Sequence, residues 1–440
     1  MCSLFLVAGG DHSAREVCSL TKQIEKQIGL LERGRHVVLR TVGLVIGSTV
    51  FEFKGTGATA AEISSIIDNA NRISGSPIST LVSHPTVIDS LSRRPVPILV
   101  DCSGMSSSET SVLYSRCFDA GIHVVASNAN SVVELPLELF NHAIAFNSAL
   151  SKPCENHEIQ RTLTPSILPQ SSPSSLLSRH TDVGRGILMF DSAAGASLPI
   201  LELLRNICCT GDRVMKIEAV LSGSISFILD ELFNASVAGV HLSLSACIRR
   251  AVDEHLMEEH PHDDLSGLDT ARKLCLLTRQ AGFPLSLGDV SITPLIPHCY
   301  LQADCMDRSC QENHFMKSSV NENQTYASLF DGIDAYSPSF QQCYHSSFIN
   351  GSRLVYLATV IIDDTGVVTT STVSPVLIKK DDRHPHPAYQ LRGKETYVSL
   401  TSERYRDHPM VLMGAGSGSD VGAAGVLNDV VKIAQGLRGL

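Results

Sequence analysis

The sequence predicts an α/β protein in which a parallel-sheet domain of the nucleotide-binding type precedes a second, mixed α/β domain. Apolar runs of strand length alternate with helical stretches over the first 130 or so residues. Farther along, strand-like runs follow one another without helices between them. A chain of 440 residues is long enough for two domains, each with its own core.

The first domain is predicted at residues 1–150. An order in which strands alternate with helices indicates parallel strands joined by crossover helices. The predicted strands are residues 3–9, 36–47, 97–101 and 122–127, and the predicted helices are residues 14–30, 63–74 and 108–120.

Residues 151–184 are rich in serine and proline and predict an inserted loop or linker. The second domain is then expected at residues 185–404, with another polar surface insertion at residues 304–326. Its strand-like runs predict an antiparallel sheet, and they lie at residues 353–363, 366–378 and 397–404.

Composition narrows the class of protein. The net charge of −10 is spread along the chain, so we expect neither a nucleic-acid partner nor an anionic membrane. No apolar run reaches transmembrane length, and the first residues lack the pattern of a signal peptide. Thirteen cysteines without a CxxC pair favour reduced thiols in a cytoplasmic protein.

An acid-rich segment at residues 257–273, MEEHPHDDLSGLDTARK, surrounds a single lysine. Asp269 and Lys273 are four residues apart, so on a helix they share a face and can pair. The leucines that follow predict a helix starting near a core. A partly buried lysine beside carboxylates suits proton transfer. The alternative is a surface ion pair on a helix whose first turn is acidic.

Histidines in the same region raise the possibility of a zinc site. His255, Glu258, Glu259 and His260 have the residue types of metal ligands. Two histidines five residues apart diverge around a helix, and Pro261 ends any helix there. A metal-dependent enzyme built on this cluster is therefore the weaker alternative.

The turn after the first strand reads Ala8-Gly9-Gly10-Asp11-His12-Ser13. In nucleotide-binding folds this turn carries GxGxxG, and only the middle glycine, Gly10, is present here. Asp11 places a negative charge where a diphosphate would approach. A plain turn without a ligand is the alternative. We take the second strand to end at Leu39-Arg40-Thr41, where Arg40 would indicate NADP unless it is a solvated surface residue.

Four blocks resemble homoserine dehydrogenases. HPHDDLSGLDTARK is similar to their active-site pattern PDPxDDLxGxDxARK. GILMFDSAAGASLPILELLRN with GDRVMKIEAVLSGSISFIL resembles the second block, and VLMGAGSGSDVGAAGVLNDVVKIAQGL the closing one. VPILVDCSGM and DAGIHVVASNANS stand where the family has a strand end and a cofactor loop. The blocks run in family order from about residue 90 to the C-terminus.

This resemblance implies a Rossmann-type domain, completed by about residues 405–440, and a second mixed α/β catalytic and dimerisation domain. It implies interconversion of L-homoserine and L-aspartate 4-semialdehyde with NADP or NAD, within threonine and methionine biosynthesis. The partners would be a small amino-acid substrate and a second copy of the chain, giving a homodimer. The alternative is a catalytically impaired homologue that binds a ligand or partner without turnover.

Carried over by position, Lys273 is the proton donor and acceptor. Glu258 and Asp269 would hold the ammonium and hydroxyl of the substrate, and Asp264 would complete the acidic ring. The family has two lysines after the asparagine of the cofactor loop, where this chain has Ala129 and Asn130. The cofactor-binding residues implied are Gly10, Arg40, Ser103, Asn128, Asn130 and Gly416.

Residues 191–199, DSAAGASLP, resemble a loop that binds a monovalent cation, sodium, through carbonyl oxygens in the family. The alternative is an ordinary turn of small residues before a helix that starts at Pro199. The ligands implied by position are Asp191, Ala194, Ala196 and Leu198.

Overall fold

A computed structural model describes nine segments of the chain, and the statements below concern these alone. They are residues 1–70, 77–104, 108–136, 139–140, 186–257, 261–301, 326–349, 351–380 and 386–437. The predicted serine- and proline-rich insertion and nearly all of the predicted polar insertion at residues 304–326 lie outside them. So does Glu258.

The first sheet has the order β3-β2-β1-β4-β5-β6 and is parallel except for β3, which forms a hairpin with β2. All seven residues of β1 are buried, as expected for a parallel strand covered on both faces. Its strands are β1 (Cys2–Ala8), β2 (Leu39–Ile46), β3 (Thr49–Glu52), β4 (Pro97–Asp101), β5 (His123–Ala126) and β6 (Leu188–Met189).

Helices connect and cover these strands. After α1, a short π-helix spans Leu30–Gly34. The helices are α1 (Asp11–Gly29), α2 (Ala60–Asn69), α3 (Pro77–Ser83), α4 (Pro85–Ser92), α5 (Ser108–Asp119) and α6 (Ala129–Val133). The mixed α/β fold with a parallel nucleotide-type sheet is thus confirmed.

The second sheet has the order β12-β11-β7-β9-β10-β8 and is antiparallel except where β8 joins β10. Its strands are β7 (Val214–Val220), β8 (Ser291–Ile292), β9 (Arg353–Ile362), β10 (Val368–Ile378), β11 (Glu395–Ser402) and β12 (Met410–Ala415). The helices of this half of the chain are α7 (Ile200–Cys209), α8 (Gly223–Val237), α9 (Leu244–Asp253), α10 (Pro261–Ser266), α11 (Leu268–Gln280), α12 (His298–Leu301) and α13 (Tyr326–Ile349).

The chain divides differently from the expected boundaries at two places. Residues 188–189 form β6 and belong to the first sheet, whereas the sequence predicts the first domain at residues 1–150 and about 405–440. Residues 410–415 form β12 and belong to the second sheet. The last helix, α14 (Ser419–Gly436), packs against α1 and shares a hydrophobic core with β1. Each strand is assigned to a sheet by the strand it pairs with, and that pairing partner cannot be inferred from the local sequence pattern.

Candidate active site

A cavity lies where the carboxyl ends of β4 and β5 face the start of α11. Ser103 and Gly104 line it after β4, and Ser127 and Asn128 line it after β5. Lys273 lines it from the opposite side. Ligands of open α/β sheets bind at the carboxyl ends of the strands, so this cavity is the candidate active site.

The acid-rich segment folds as two short helices joined at Gly267. Gly267 has φ +85°, and a Cβ built on it would lie 2.0 Å from the hydroxyl oxygen of Tyr356. Tyr356 is fixed, because its hydroxyl donates to the carbonyl oxygen of Thr293 at 2.9 Å. Only glycine fits this junction, and the junction aims the first turn of α11 at the cavity.

Lys273 and Asp269 form the predicted pair. The Nζ of Lys273 donates to Oδ2 of Asp269 at 2.7 Å. Their side chains are 15% and 6% exposed, respectively. Both line the cavity, so the pair faces a ligand-sized space and is not a solvated surface pair.

Asp264 lies at the same wall and is 2% exposed. Its Oδ1 accepts a hydrogen bond from Oγ of Ser224 at 3.1 Å, and that hydroxyl is 2.9 Å from Oγ of Ser222. Both serines lie at the N-terminus of α8 and line the cavity. Glu258, the remaining acid predicted here, is outside the described residues.

Asp263 also lines the cavity and pairs with Arg272. Burial raises the pKa of the Asp263 carboxyl, but His262 and Arg272 more than offset that effect and lower it to about 2. Nη1 of Arg272 bonds Oδ2 of Asp263, and Nδ1 of His262 is 3.6 Å from Oδ1. The carboxylate therefore stays ionised and connects the start of α10 to α11.

The turn after β1 is closed by hydrogen bonds to the side chain of Ser13. The hydroxyl of Ser13 accepts hydrogen bonds from the backbone N–H groups of Gly9 and Gly10 at 2.8 and 3.0 Å, and it donates to the Gly10 carbonyl at 3.1 Å. Ser13 is 2% exposed. In a GxGxxG turn these amides approach the diphosphate. Here they donate to the Ser13 hydroxyl instead, which the sequence pattern did not reveal.

The prediction that Arg40 ends the second strand is wrong. Arg40 is the second residue of β2 and pairs with Ser3, whereas Ile46 ends the strand beside Ala8. The apolar run continues through residues 42–46, in agreement with the strand predicted at residues 36–47, so its end lies beyond Thr41. Arg40 thus lies near the amino end of the sheet, away from the edge where ligands bind, and its suggested contact with a 2′-phosphate loses its basis.

The cofactor loop after β5 is held by uncharged contacts. Oδ1 of Asn128 accepts the N–H of Asn130 at 2.9 Å and caps α6. Nδ2 of Asn130 donates to the Gly104 carbonyl at 3.2 Å. Ser103 is buried against Asp101, which accepts its N–H at 2.9 Å. The structure brings these loop residues to the cavity of Lys273, together with Gly416.

Gly10 lines a neighbouring cavity at the N-terminus of α1, together with Asp11, Arg15, Asp68 and Asp420. The N-terminus of α14 borders both cavities, because Gly418 lines the first and Asp420 the second. The two cavities therefore lie on either side of the N-terminus of α14.

The loop of the suggested sodium site is occupied by an ionic network. Both carboxylate oxygens of Asp191 pair with Arg205, and Nζ of Lys432 lies 3.0 Å from Oδ2. Burial raises the pKa of Asp191, but these two cations lower it below its usual range. The carbonyl oxygen of Leu198 accepts a hydrogen bond from the N–H of Ile200 at 2.8 Å. The Asp191 carboxylate therefore does not fit the role of a sodium ligand.

One buried carboxylate at the cavity was missed by sequence reasoning. Glu16 is 7% exposed, lines the cavity from α1 and accepts a hydrogen bond from Ser127 at 3.0 Å. The helical pattern could have predicted that Glu16 lies on the buried face of α1. It could not have predicted which helix packs against that face. Gly422 of α14 packs there, with a built Cβ 2.5 Å from Oε1 of Glu16.

Two further findings concern metals and membranes. Among the described residues, no group of three or more His, Cys, Asp or Glu side chains is arranged to hold a metal ion. His260 of the suggested zinc cluster lies outside those residues. No helix in the described segments has the length and apolar character needed to span a bilayer.

The fold and cavity define an α/β protein with two sheets and a lysine–carboxylate site at the carboxyl edge of the nucleotide-type sheet. Residues 199–431 match the family model described as homoserine dehydrogenase. This match covers more than half of the chain, and the chain belongs to the homoserine dehydrogenase family.

Known proteins resemble the chain over different lengths. It is 24% identical over 418 residues to bifunctional aspartokinase/homoserine dehydrogenase 2 of Zea mays, covering 94% of the chain and 37% of that protein. It is 32% identical over 253 residues to homoserine dehydrogenase of Saccharomyces cerevisiae, covering 57% and 62%. The chain thus spans less than two thirds of either relative.

The fold also matches a solved structure of a hyperthermophilic archaeal homoserine dehydrogenase in complex with NADPH. The TM-score is 0.55 at 16% identity, over 98% of this chain and 97% of the other. At this identity the match shows a shared fold.

Proposed function

We propose that the chain is a homoserine dehydrogenase that interconverts L-homoserine and L-aspartate 4-semialdehyde with NAD or NADP. One observation carries the proposal: Lys273 and Asp269 pair at 2.7 Å in a cavity that Asp264 also lines. A lysine that exchanges protons and carboxylates that attract an ammonium are what this substrate requires.

In the proposed oxidation, the Nζ of Lys273, in its unprotonated form, accepts the proton of the homoserine hydroxyl, and in the reverse direction it returns the proton. Asp269, one turn earlier on α11, holds the Nζ in place. Asp264 and Asp269 hold the substrate ammonium, and Glu258 is proposed to assist. A nicotinamide cofactor, when bound, supplies the acceptor for the hydride of the carbinol carbon.

The residues at the carboxyl edge of the first sheet fit such a cofactor. Ser103, Asn128, Asn130 and Gly416 border the cavity of Lys273, and Gly10 borders its neighbour. The NADPH bound in the archaeal relative supports the same class of cofactor for this chain. Sodium remains a prediction that would rest on loop carbonyls, and no step of the mechanism uses it.

We also propose a homodimer formed through the second sheet, a cytoplasmic location and a role in threonine and methionine biosynthesis. The support is the family resemblance together with a charge distribution that suits neither nucleic acid nor membrane.

The test is homoserine-dependent reduction of NAD and of NADP by the purified protein, with and without sodium, followed by the absorbance of the reduced nicotinamide. Turnover with either cofactor supports the proposal. Tight homoserine binding without turnover would instead identify an impaired homologue.

A further inference from the structure

The cavity of Lys273 is acidic in its described part. Its ionisable lining comprises the lysine Lys273, the carboxylates Glu16, Asp263, Asp264 and Asp269, and also His12 and Cys102. A dinucleotide adds two negatively charged phosphates, which a nearby cation would stabilise. Asn130 is neutral, and the N–H groups of Gly9 and Gly10 already donate to the hydroxyl of Ser13. A further permanent cation beside this cavity would stabilise those phosphates.

Lys394 lies at the other glycine-rich turn of the site, residues 414–418. Its carbonyl accepts the N–H of Gly416 at 3.4 Å, which fixes the lysine backbone beside the turn. Its Nζ lies 3.2 Å from the position of a Cβ built on Gly418. Gly416 and Gly418 both line the cavity, so the ammonium group lies next to a residue of the cavity wall.

Two observations indicate that this turn is prepared for a ligand. The ion pairs among the described residues do not include Lys394, so its charge is not neutralised by a carboxylate there. Ser417 lines the cavity, and its buried Oγ has no hydrogen-bond partner within the described structure. A buried polar atom without a partner is costly unless a ligand satisfies it.

We propose that Lys394 is a cofactor-binding residue whose ammonium contacts a phosphate of the nicotinamide dinucleotide at residues 416–418. It supplies the positive charge that a lysine at position 130 would otherwise provide. This inference rests on the cofactor class of the proposed function and adds the residue that determines its affinity.

The experiment is titration of the purified protein with NADPH and with NADH, read by nicotinamide fluorescence. Lys394→Gln should raise Kd about fivefold at low ionic strength, the factor that an exposed charge pair provides. The difference should shrink as salt is added. Lys394→Arg should retain wild-type affinity. The matched control is Lys379→Gln, which removes an exposed lysine just after β10 and should leave Kd unchanged.

A double substitution tests the compensation directly. Asn130→Lys placed in the Lys394→Gln protein should restore most of the lost affinity, because it returns one cation to the same cavity. A Kd for Lys394→Gln within twofold of wild type at low salt would overturn the inference, and so would equal losses in the Lys379→Gln control.

The same titrations separate this inference from the proposed function. If homoserine turnover is present and Kd is insensitive to Lys394, only the inference fails. If NADPH binding depends on Lys394 but homoserine is not oxidised, the inference stands and the proposed substrate is wrong. If no variant binds either dinucleotide, both fail.

Discussion

Nζ of Lys273 is 2.7 Å from Oδ2 of Asp269, one turn earlier on the same helix. Asp269 is 4% exposed, so its carboxylate has little access to water and holds the ammonium at the cavity wall. An exposed pair at this spacing stabilises a helix by only a few tenths of a kcal/mol, about 0.3–0.5. Its burial at the cavity therefore points to positioning of the lysine.

Lys273→Ala should lower kcat for homoserine oxidation by about a hundredfold to ten-thousandfold, the usual contribution of a general acid–base. Steady-state kinetics at neutral pH measures this, with circular dichroism to check the fold. Lys379→Ala is the matched control and should keep full activity. A near-normal kcat in Lys273→Ala would show that the residue only forms a helix ion pair and takes no part in proton transfer.

Asn130→Lys should strengthen cofactor binding in the otherwise wild-type protein. The added ammonium would lie next to Ser103, Gly104 and Asn128 at the cavity, close to a cofactor phosphate, and should lower Kd several-fold at low salt. The gain should fall at high ionic strength. Titration showing no tighter binding would mean that the loop directs position 130 away from the cofactor.

Ser13→Ala should also tighten dinucleotide binding, since it releases the N–H groups of Gly9 and Gly10 while keeping a Cβ of similar bulk. We expect Kd to fall about threefold to tenfold, the worth of a net hydrogen bond or slightly more. The same change should lower the free energy of unfolding by about 1 kcal/mol. Paired titrations and urea melts measure both effects. Weaker binding in Ser13→Ala would show that the hydroxyl itself contacts the cofactor.

Stability should fall in acid through Asp263. Its folded pKa of about 2 lies below the unfolded value of about 3.9. A lowered pKa means that the carboxylate contributes stability above the unfolded value, and that this contribution is lost as pH falls through about 2. The loss should be about 2 kcal/mol.

The measurement compares urea unfolding at about pH 6 and about pH 2.5 for wild type and Asp263→Asn, over the window set by those two values. The asparagine variant should be less stable at the higher pH, because Arg272 loses its partner, and less sensitive to acid. An equal acid sensitivity in the two proteins would assign the effect to other carboxylates.

The sequence determined the features that depend on neighbours along the chain. The spacing of Asp269 and Lys273 predicted a shared helix face, and the structure pairs them, because residues four apart meet on any α-helix. Apolar runs bounded by small residues predicted β1, β4 and β5, since buried parallel strands are apolar on both faces.

Only the tertiary structure decided what lies across from these elements. Arg40 was misplaced because a strand end is defined by its partner strand, and β1 pairs with residues as far as Ile46. The approach of Glu16 to Gly422 joins residues 406 positions apart, and that of Lys394 to Gly418 joins residues 24 positions apart on either side of β11 and β12. Tertiary packing determines these distances, and local sequence periodicity does not predict them.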